Sequence, residues 1–233
     1  MNKIDRRKHY VIVLDTETAN GQMVDGKLNL DDSLVYDIGW AVIDTKGNIY
    51  EKRSFVVKEI FRGEAEMMRS AYYANKLPRY EEDIAQGKRI VETFYNIRKQ
   101  LLADMQNYGV TEISAHNARF DYNAMNNTER WLTKSEYRYF LPYGVTVWDT
   151  LKMARQVVKP MPTYKKFCAE NGYMTKHKTP QERLTAEILY RFISGNEDFE
   201  ESHTGLEDVE IETEILWYCL RKHKAMKKGL WEK

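Results

Sequence analysis

Cysteine is almost absent from this chain, with only Cys168 and Cys219 in 233 residues. Two thiols cannot build a disulfide framework. Both sit in apolar helical patterns, so buried free thiols in a reducing compartment are expected. Long hydrophobic runs are lacking too. The apolar run behind the basic N-terminus, Val11 to Leu14, ends at Asp15 and is too short for a signal peptide. No stretch is apolar for long enough to span a bilayer, and a cytoplasmic protein is the expectation. Charge of one sign is missing as well. The 36 Lys and Arg stand against 35 Asp and Glu, a net charge of +1, so no global basic field announces a nucleic-acid partner. Repeats, low-complexity segments and a clear linker are absent. With 42% hydrophobic and 30% charged residues, the chain reads as one globular domain over residues 1–233.

What is present is a series of well-marked elements. Tyr10 to Thr16 is a short β-branched apolar run and reads as a buried strand. Residues 20–33 read as a loop, and Leu34–Asp44 and Ile49–Val57 as two further strands of an antiparallel meander joined at Lys46-Gly47-Asn48. Residues 61–88 read as short helices broken at Pro78. Apolar residues at spacings of three and four from Ile90 to Tyr108 predict an amphipathic helix stopped by Gly109. A fourth strand over Thr111–Ala115, a helix from about Ala118 and a fifth strand over Val145–Trp148 follow, with Asp149 suited to cap the next helix. Thr179-Pro-Gln-Glu182 and Thr204-Gly-Leu-Glu207 both read as capping boxes. One mixed sheet flanked by helices is the predicted α/β architecture.

Three acidic motifs are set on this frame. Asp15 and Glu17 alternate with Thr16 at the end of the first strand, so both project to one face about 6–7 Å apart. Asn117 can cap the helix that places Asp121 in its first turn, and Thr204 the helix that places Asp208 in its first turn. Asp208 shares a helix face with Ile211, Ile215 and Cys219, so it points along a buried face. Four carboxylates gathered from three distant segments repel one another unless something offsets their charge. Paired divalent cations do so, and paired metals are common machinery for cutting phosphodiesters. Hard oxygen ligands suit Mg²⁺ or Mn²⁺; no Cys/His cluster suggests zinc.

Asp15-Thr-Glu17-Thr18, His116-Asn-Ala-Arg-Phe-Asp121 and His203-Thr-Gly-Leu-Glu-Asp208 resemble, in that order, the motifs of the DEDDh 3′→5′ exonucleases of the proofreading (DnaQ-like) superfamily. The likeness runs over about residues 10–220 and includes Asp149-Thr150-Leu151. It implies a ribonuclease H-like fold with a central five-stranded mixed sheet. It also implies that Asp15, Glu17, Asp121 and Asp208 hold two ions and that His203 is the general base. His116 is the rival base, although a histidine ending a buried strand is more often structural. Thr16, Thr18, His116 and Asn117 fall at substrate-contact positions by the same resemblance. The implied substrate is the 3′ end of single-stranded DNA or RNA, with nucleoside 5′-monophosphates released. RNA trimming and an inactive nucleic-acid-binding module are the alternatives. A replication or repair partner is implied without being identifiable. The longer loop after the first motif and residues 61–88 and 130–145 depart from the pattern.

The strand itself needs cations and stacking surfaces. Lys159, Lys165, Lys166, Lys176 and Lys178 form one basic stretch, and Arg221–Lys233 holds six Lys or Arg against one acid. The first favours a strand-binding role, the second a solvated helix end. Tyr164 and the aromatics of 137–143 are stacking candidates.

Overall fold

The computed structural model describes residues 4–19, 22–24, 27–29, 31–71, 74–200, 204–222 and 225–232. Six strands form its main sheet: β1 (Tyr10–Ala19), β2 (Leu34–Asp44), β3 (Ile49–Val57), β4 (Ile90–Glu92), β5 (Glu112–Ala115) and β6 (Thr146–Asp149). Their order is β4-β3-β2-β1-β5-β6. The meander β1–β2–β3 is antiparallel as predicted, and β4, β5 and β6 each join parallel to a neighbour. Around the sheet lie α1 (Lys58–Phe61), α2 (Ala65–Ser70), α3 (Leu77–Ala85), α4 (Phe94–Tyr108), α5 (Arg119–Thr133), α6 (Thr150–Val157), α7 (Pro162–Glu170), α8 (Ala186–Ser194) and α9 (Gly205–Lys222).

β1 is buried on both faces because it is a central strand, and its alternation sorts the core into two layers. Ile12 and Leu14 pack with Phe94, Ile97, Leu101, Ala124 and Met125 of α4 and α5. Val11 and Val13 pack with Met153 of α6, Leu189 of α8 and Ile211, Ile215 and Cys219 of α9. Both cysteines are buried and free, as composition suggested. Among the described residues no helix is long and apolar enough to cross a membrane.

The predicted fold class stands, with a sixth strand added to the five. Ile90–Glu92 pairs with β3, and the helix begins later, at Phe94, where the Thr93 hydroxyl accepts from Asn96 N–H. Ile90 and Phe94 are four apart either way, so apolar spacing alone runs across the boundary. Pro78 opens α3 rather than breaking a helix. The segment 20–33, read as loop, contains a two-stranded ribbon, Gln22–Val24 against Lys27–Asn29. No helix starts at the Thr179 capping box. Met174 bridges Glu182 and Thr175 N–H donates to Gln181 O, so the backbone there is already committed; α8 starts at Ala186, with Thr185 accepting from Ile188 N–H. The basic C-terminal segment folds back over the sheet edge: Asp149 N–H donates to Lys228 O and Leu230 N–H to Val147 O. That closes the outer side of β6, which would otherwise expose unpaired backbone groups.

Candidate metal centre

Alternation on β1 aims Asp15 and Glu17 at α9 and Thr16 at α5. α9 reaches them because two glycines meet. Gly39 lies opposite Asp15 in the β1–β2 register. A Cβ on Gly39 would come within 2.5 Å of Gly205 C, and one on Gly205 within 2.8 Å of Gly39 N and 3.4 Å of Asp15 O. No side chain larger than hydrogen fits between these backbones, so the first turn of α9 sits directly on the sheet. A carboxylate fixes it there. Asp37, fully buried, accepts from Gly205 N–H at 3.1 Å, Tyr80 O–H at 2.5 Å and Arg89 Nη1 at 3.0 Å. Arg89 is itself held by Asp83 at 3.1 Å. Burial pushes Asp37 up, while Arg89 and the hydrogen bonds from Tyr80 and Gly205 pull it back. Replacing Gly39 by Ala is therefore expected to move Asp208 as well as overpack the contact. The expected cost is about 1–3 kcal/mol of stability and about 10²-fold in turnover. Comparing melting temperature with kcat checks this; a variant with normal kcat would show that the close approach does not set the site.

With α9 seated, ligand atoms of Asp15, Glu17 and Asp208 lie within 4.8 Å of one another. Glu17 and Asp208 are buried and Asp15 is partly buried. Asp121 arrives from the other face of the sheet. Its Oδ1 accepts from Thr16 N–H at 3.2 Å and from Thr16 Oγ1 at 2.8 Å, so it stands beside the trio without belonging to it. Thr18 is half-buried past a register shift in β1. Loss of water raises Asp15 well above the usual carboxylate range, and Glu212, Asp121, Glu17 and Asp208 push it further, in that order. Burial also takes Asp121 up to about 7, against the pull of its hydrogen bonds to Thr16.

Glu212 is the acid that motif reading missed. It is 3% exposed, four residues beyond Asp208 and so on the same helical face. That spacing was the available signal. The apolar companions Ile211 and Ile215 draw the eye to the core instead.

The junction before α5 differs from expectation. Asn117 does not cap the helix with its side chain; it takes φ 61°, a left-handed turn that asparagine tolerates better than most residues, and Asp121 still falls in the first turn. Asp149 binds the turn together, accepting from Asn117 N–H at 3.1 Å and from Leu151 N–H at 3.0 Å. It is a helix cap, as predicted. His116 has both ring nitrogens engaged, Nδ1 with Thr150 Oγ1 at 3.0 Å and Nε2 with Leu184 O at 2.8 Å, and burial lowers its pKa. It ties the segment before α8 to α6. Tyr164 is buried, its hydroxyl donating to Arg183 O, so it is no stacking platform. Tyr137, Tyr139 and Tyr143 are exposed. Tyr218 packs in the second core layer. His203 lies outside the described residues.

A cavity of about 630 Å³ opens beside Asp15. Asp15, Glu212, His116 and Asn117 line it, as do Arg155, Lys159 and Arg183. Its size is that of an ordinary small-ligand pocket.

An all-oxygen donor set whose members raise one another's pKa fits a divalent hard cation. The sign of its pH dependence follows. The folded protein retains protons on Asp15 and Asp121 that the unfolded chain released near pH 4. Metal-free protein therefore loses stability as pH rises through the folded values. His116, lowered by burial, acts in the opposite sense up to about pH 7.5, above which the unfolded imidazole is neutral too. The melting temperature in EDTA should therefore fall as pH rises above about 7.5, and Mg²⁺ or Mn²⁺ should raise it more at the upper end. A melting temperature independent of both pH and cation would contradict the assignment.

No protein-family model matches the chain, and no curated protein matches it significantly in sequence. Solved structures do match in fold. The Mg²⁺- and Mn²⁺-bound Pop2p of Schizosaccharomyces pombe aligns with 94% of this chain and 85% of its own, at 12% identity and TM-score 0.51. Exonuclease I of Methylocaldum szegediense aligns with 93% of this chain at 10% identity and TM-score 0.53, and Escherichia coli exonuclease I in complex with a dT13 oligonucleotide with 92% at 14% and 0.52. The match takes in 41% and 42% of those two exonuclease I chains. Over nearly its whole length the protein has the ribonuclease H-like fold of these structures.

Proposed function

We propose that the chain is a single-domain, metal-dependent 3′→5′ exonuclease that acts on single-stranded nucleic acid, with DNA the first choice of substrate. The observation that carries this reading is the convergence of Asp15, Glu17 and Asp208 within 4.8 Å toward the C-terminal end of the central strand of a ribonuclease H-like sheet, with Asp121 bonded to the intervening Thr16. Asp15, Glu17, Asp121 and Asp208 would hold two Mg²⁺ or Mn²⁺ ions. Such ions, when bound, supply an acidified water and charge stabilisation of the leaving 3′ oxygen.

The chain's own residues do the rest. His203, five positions before Asp208, accepts the proton of the attacking water; a neutral imidazole is suited to that near pH 7. The Thr16 hydroxyl holds Asp121 in place from the adjacent β1 position. Exposed Asn117, in its left-handed turn, and the β1 backbone at Thr16 and Thr18 flank the terminal nucleotide. His116 contributes a wall, since its ring nitrogens are committed elsewhere. Pop2p carrying Mg²⁺ and Mn²⁺, and exonuclease I carrying dT13, support the metal and the strand by analogy of fold. Ribonucleotide trimming is the second reading, because a few groove contacts decide whether a 2′-hydroxyl is accepted.

The direct assay uses 5′-labelled single-stranded DNA and RNA of equal sequence with Mg²⁺, Mn²⁺ or EDTA. A ladder shortening from the 3′ end only when a cation is present is the expected result, and its rate on each strand sets the sugar preference. Folded protein that cleaves neither strand with either cation would move the assignment to a binding module.

A further inference from the structure

We propose that the cavity beside Asp15 contains a second phosphate subsite, built by Arg155, Lys159 and Arg183, which grips a phosphate neighbouring the one being cut. This deepens the exonuclease reading and rests on it. All three cations line the same cavity as Asp15 and Asn117. They come from two segments that the fold braces against each other. Arg155 lies in the last turn of α6 and Lys159 just beyond it, where its N–H donates to Ala154 O at 3.0 Å. Arg183 has its backbone pinned on both sides, its N–H donating to Tyr173 O at 2.9 Å and its carbonyl accepting from Tyr164 O–H at 2.5 Å. The exposed guanidinium therefore projects from a fixed backbone. Lys159 Nζ reaches across to Gln181 Oε1 at 2.9 Å, joining the two segments, and keeps donors to spare. His116 locks the same loop through Leu184 O.

The cavity carries both signs of charge. Asp15, Glu212 and Glu182 line it together with the three cations. Cations so close to a carboxylate cluster would be expected to pair with it, yet no salt bridge joins Arg155, Lys159 or Arg183 to an acid among the described residues. A ligand that fills this cavity can carry one anionic group for the metals and another for the cations. Adjacent phosphates of one nucleic-acid strand have that form. The second phosphate can come from two sources, the internucleotide phosphate on the 5′ side or a phosphate at the 3′ terminus. Lys165, Lys166, Lys176 and Lys178 do not line the cavity and are left to the solvated surface.

Three dinucleotides separate the cases: dTpdT, pdTpdT and dTpdTp. The expected result is a KM lowered by about 10–100-fold for pdTpdT, or for dTpdTp if the terminal phosphate is the ligand, with kcat little changed. Arg155→Gln, Lys159→Gln and Arg183→Gln should shrink that preference toward parity. Affinity is read separately by fluorescence anisotropy of labelled dT10 in Ca²⁺, where the same variants should weaken binding and flatten its salt dependence. Equal KM for all three dinucleotides, or variants that bind dT10 like the parent, would overturn the subsite. Weakened binding in the variants with no hydrolysis by any form would keep the subsite and remove the exonuclease reading.

Discussion

Asp15→Asn is expected to lower hydrolysis by at least about 10³-fold while raising the melting temperature of the metal-free protein. Both effects come from one cause. Asp15 sits where desolvation and four other carboxylates, Glu212, Asp121, Glu17 and Asp208, all oppose its ionisation. Without a cation that repulsion is a cost to the folded state, and the amide of asparagine removes it at nearly constant volume. The gain should be on the order of 5 °C at pH 8, given about 2–4 °C per kcal/mol for a chain of this size. With a cation the same carboxylate is a ligand, and its loss weakens the ion that does the chemistry. Differential scanning fluorimetry with and without Mn²⁺, beside an activity assay, tests both halves. Loss of activity together with lower stability in EDTA would mean that Asp15 is a structural acid instead.

His203→Ala is the second large effect, expected at about 10²–10⁴-fold in turnover with cation affinity little altered. The base must lie near Asp208, and His203 precedes it by five residues. The other histidine of the motifs is already occupied. With Thr150 on one nitrogen and Leu184 on the other, both ring nitrogens of His116 already have protein partners. Its replacement by Ala should reduce stability, through loss of the tie between α6 and the segment before α8, more than it reduces kcat. A parent pH–rate profile with an acidic limb near pH 6–7 that disappears in His203→Ala would identify the base. Normal turnover in His203→Ala, with loss in His116→Ala, would reverse the roles.

The carboxylates were legible because each stands at a boundary the sequence marks clearly. Asp15 and Glu17 end an apolar strand; Asp121 and Asp208 open helices. Asp37 was not legible, because it lies inside the buried strand Leu34–Asp44 and its partners Tyr80 and Arg89 are 43 and 52 residues away. Nothing local distinguishes a clamp from an ill-placed acid. Gly39 and Gly205 were silent for a related reason, since their meaning is a contact between two segments. Asn117 was misread as a side-chain cap because capping residues and left-handed turn residues are drawn from the same short polar set. The Thr179 box failed where a bridge over Met174–Glu182 outcompeted the local helix signal.

Anomalous diffraction at the manganese edge, from crystals soaked in Mn²⁺ with a nucleoside 5′-monophosphate, tests the central claim most directly. The account predicts two peaks about 3.5–4 Å apart, bounded by Asp15, Glu17, Asp121 and Asp208. No peak at those carboxylates, in crystals that take up Mn²⁺ elsewhere, would contradict it.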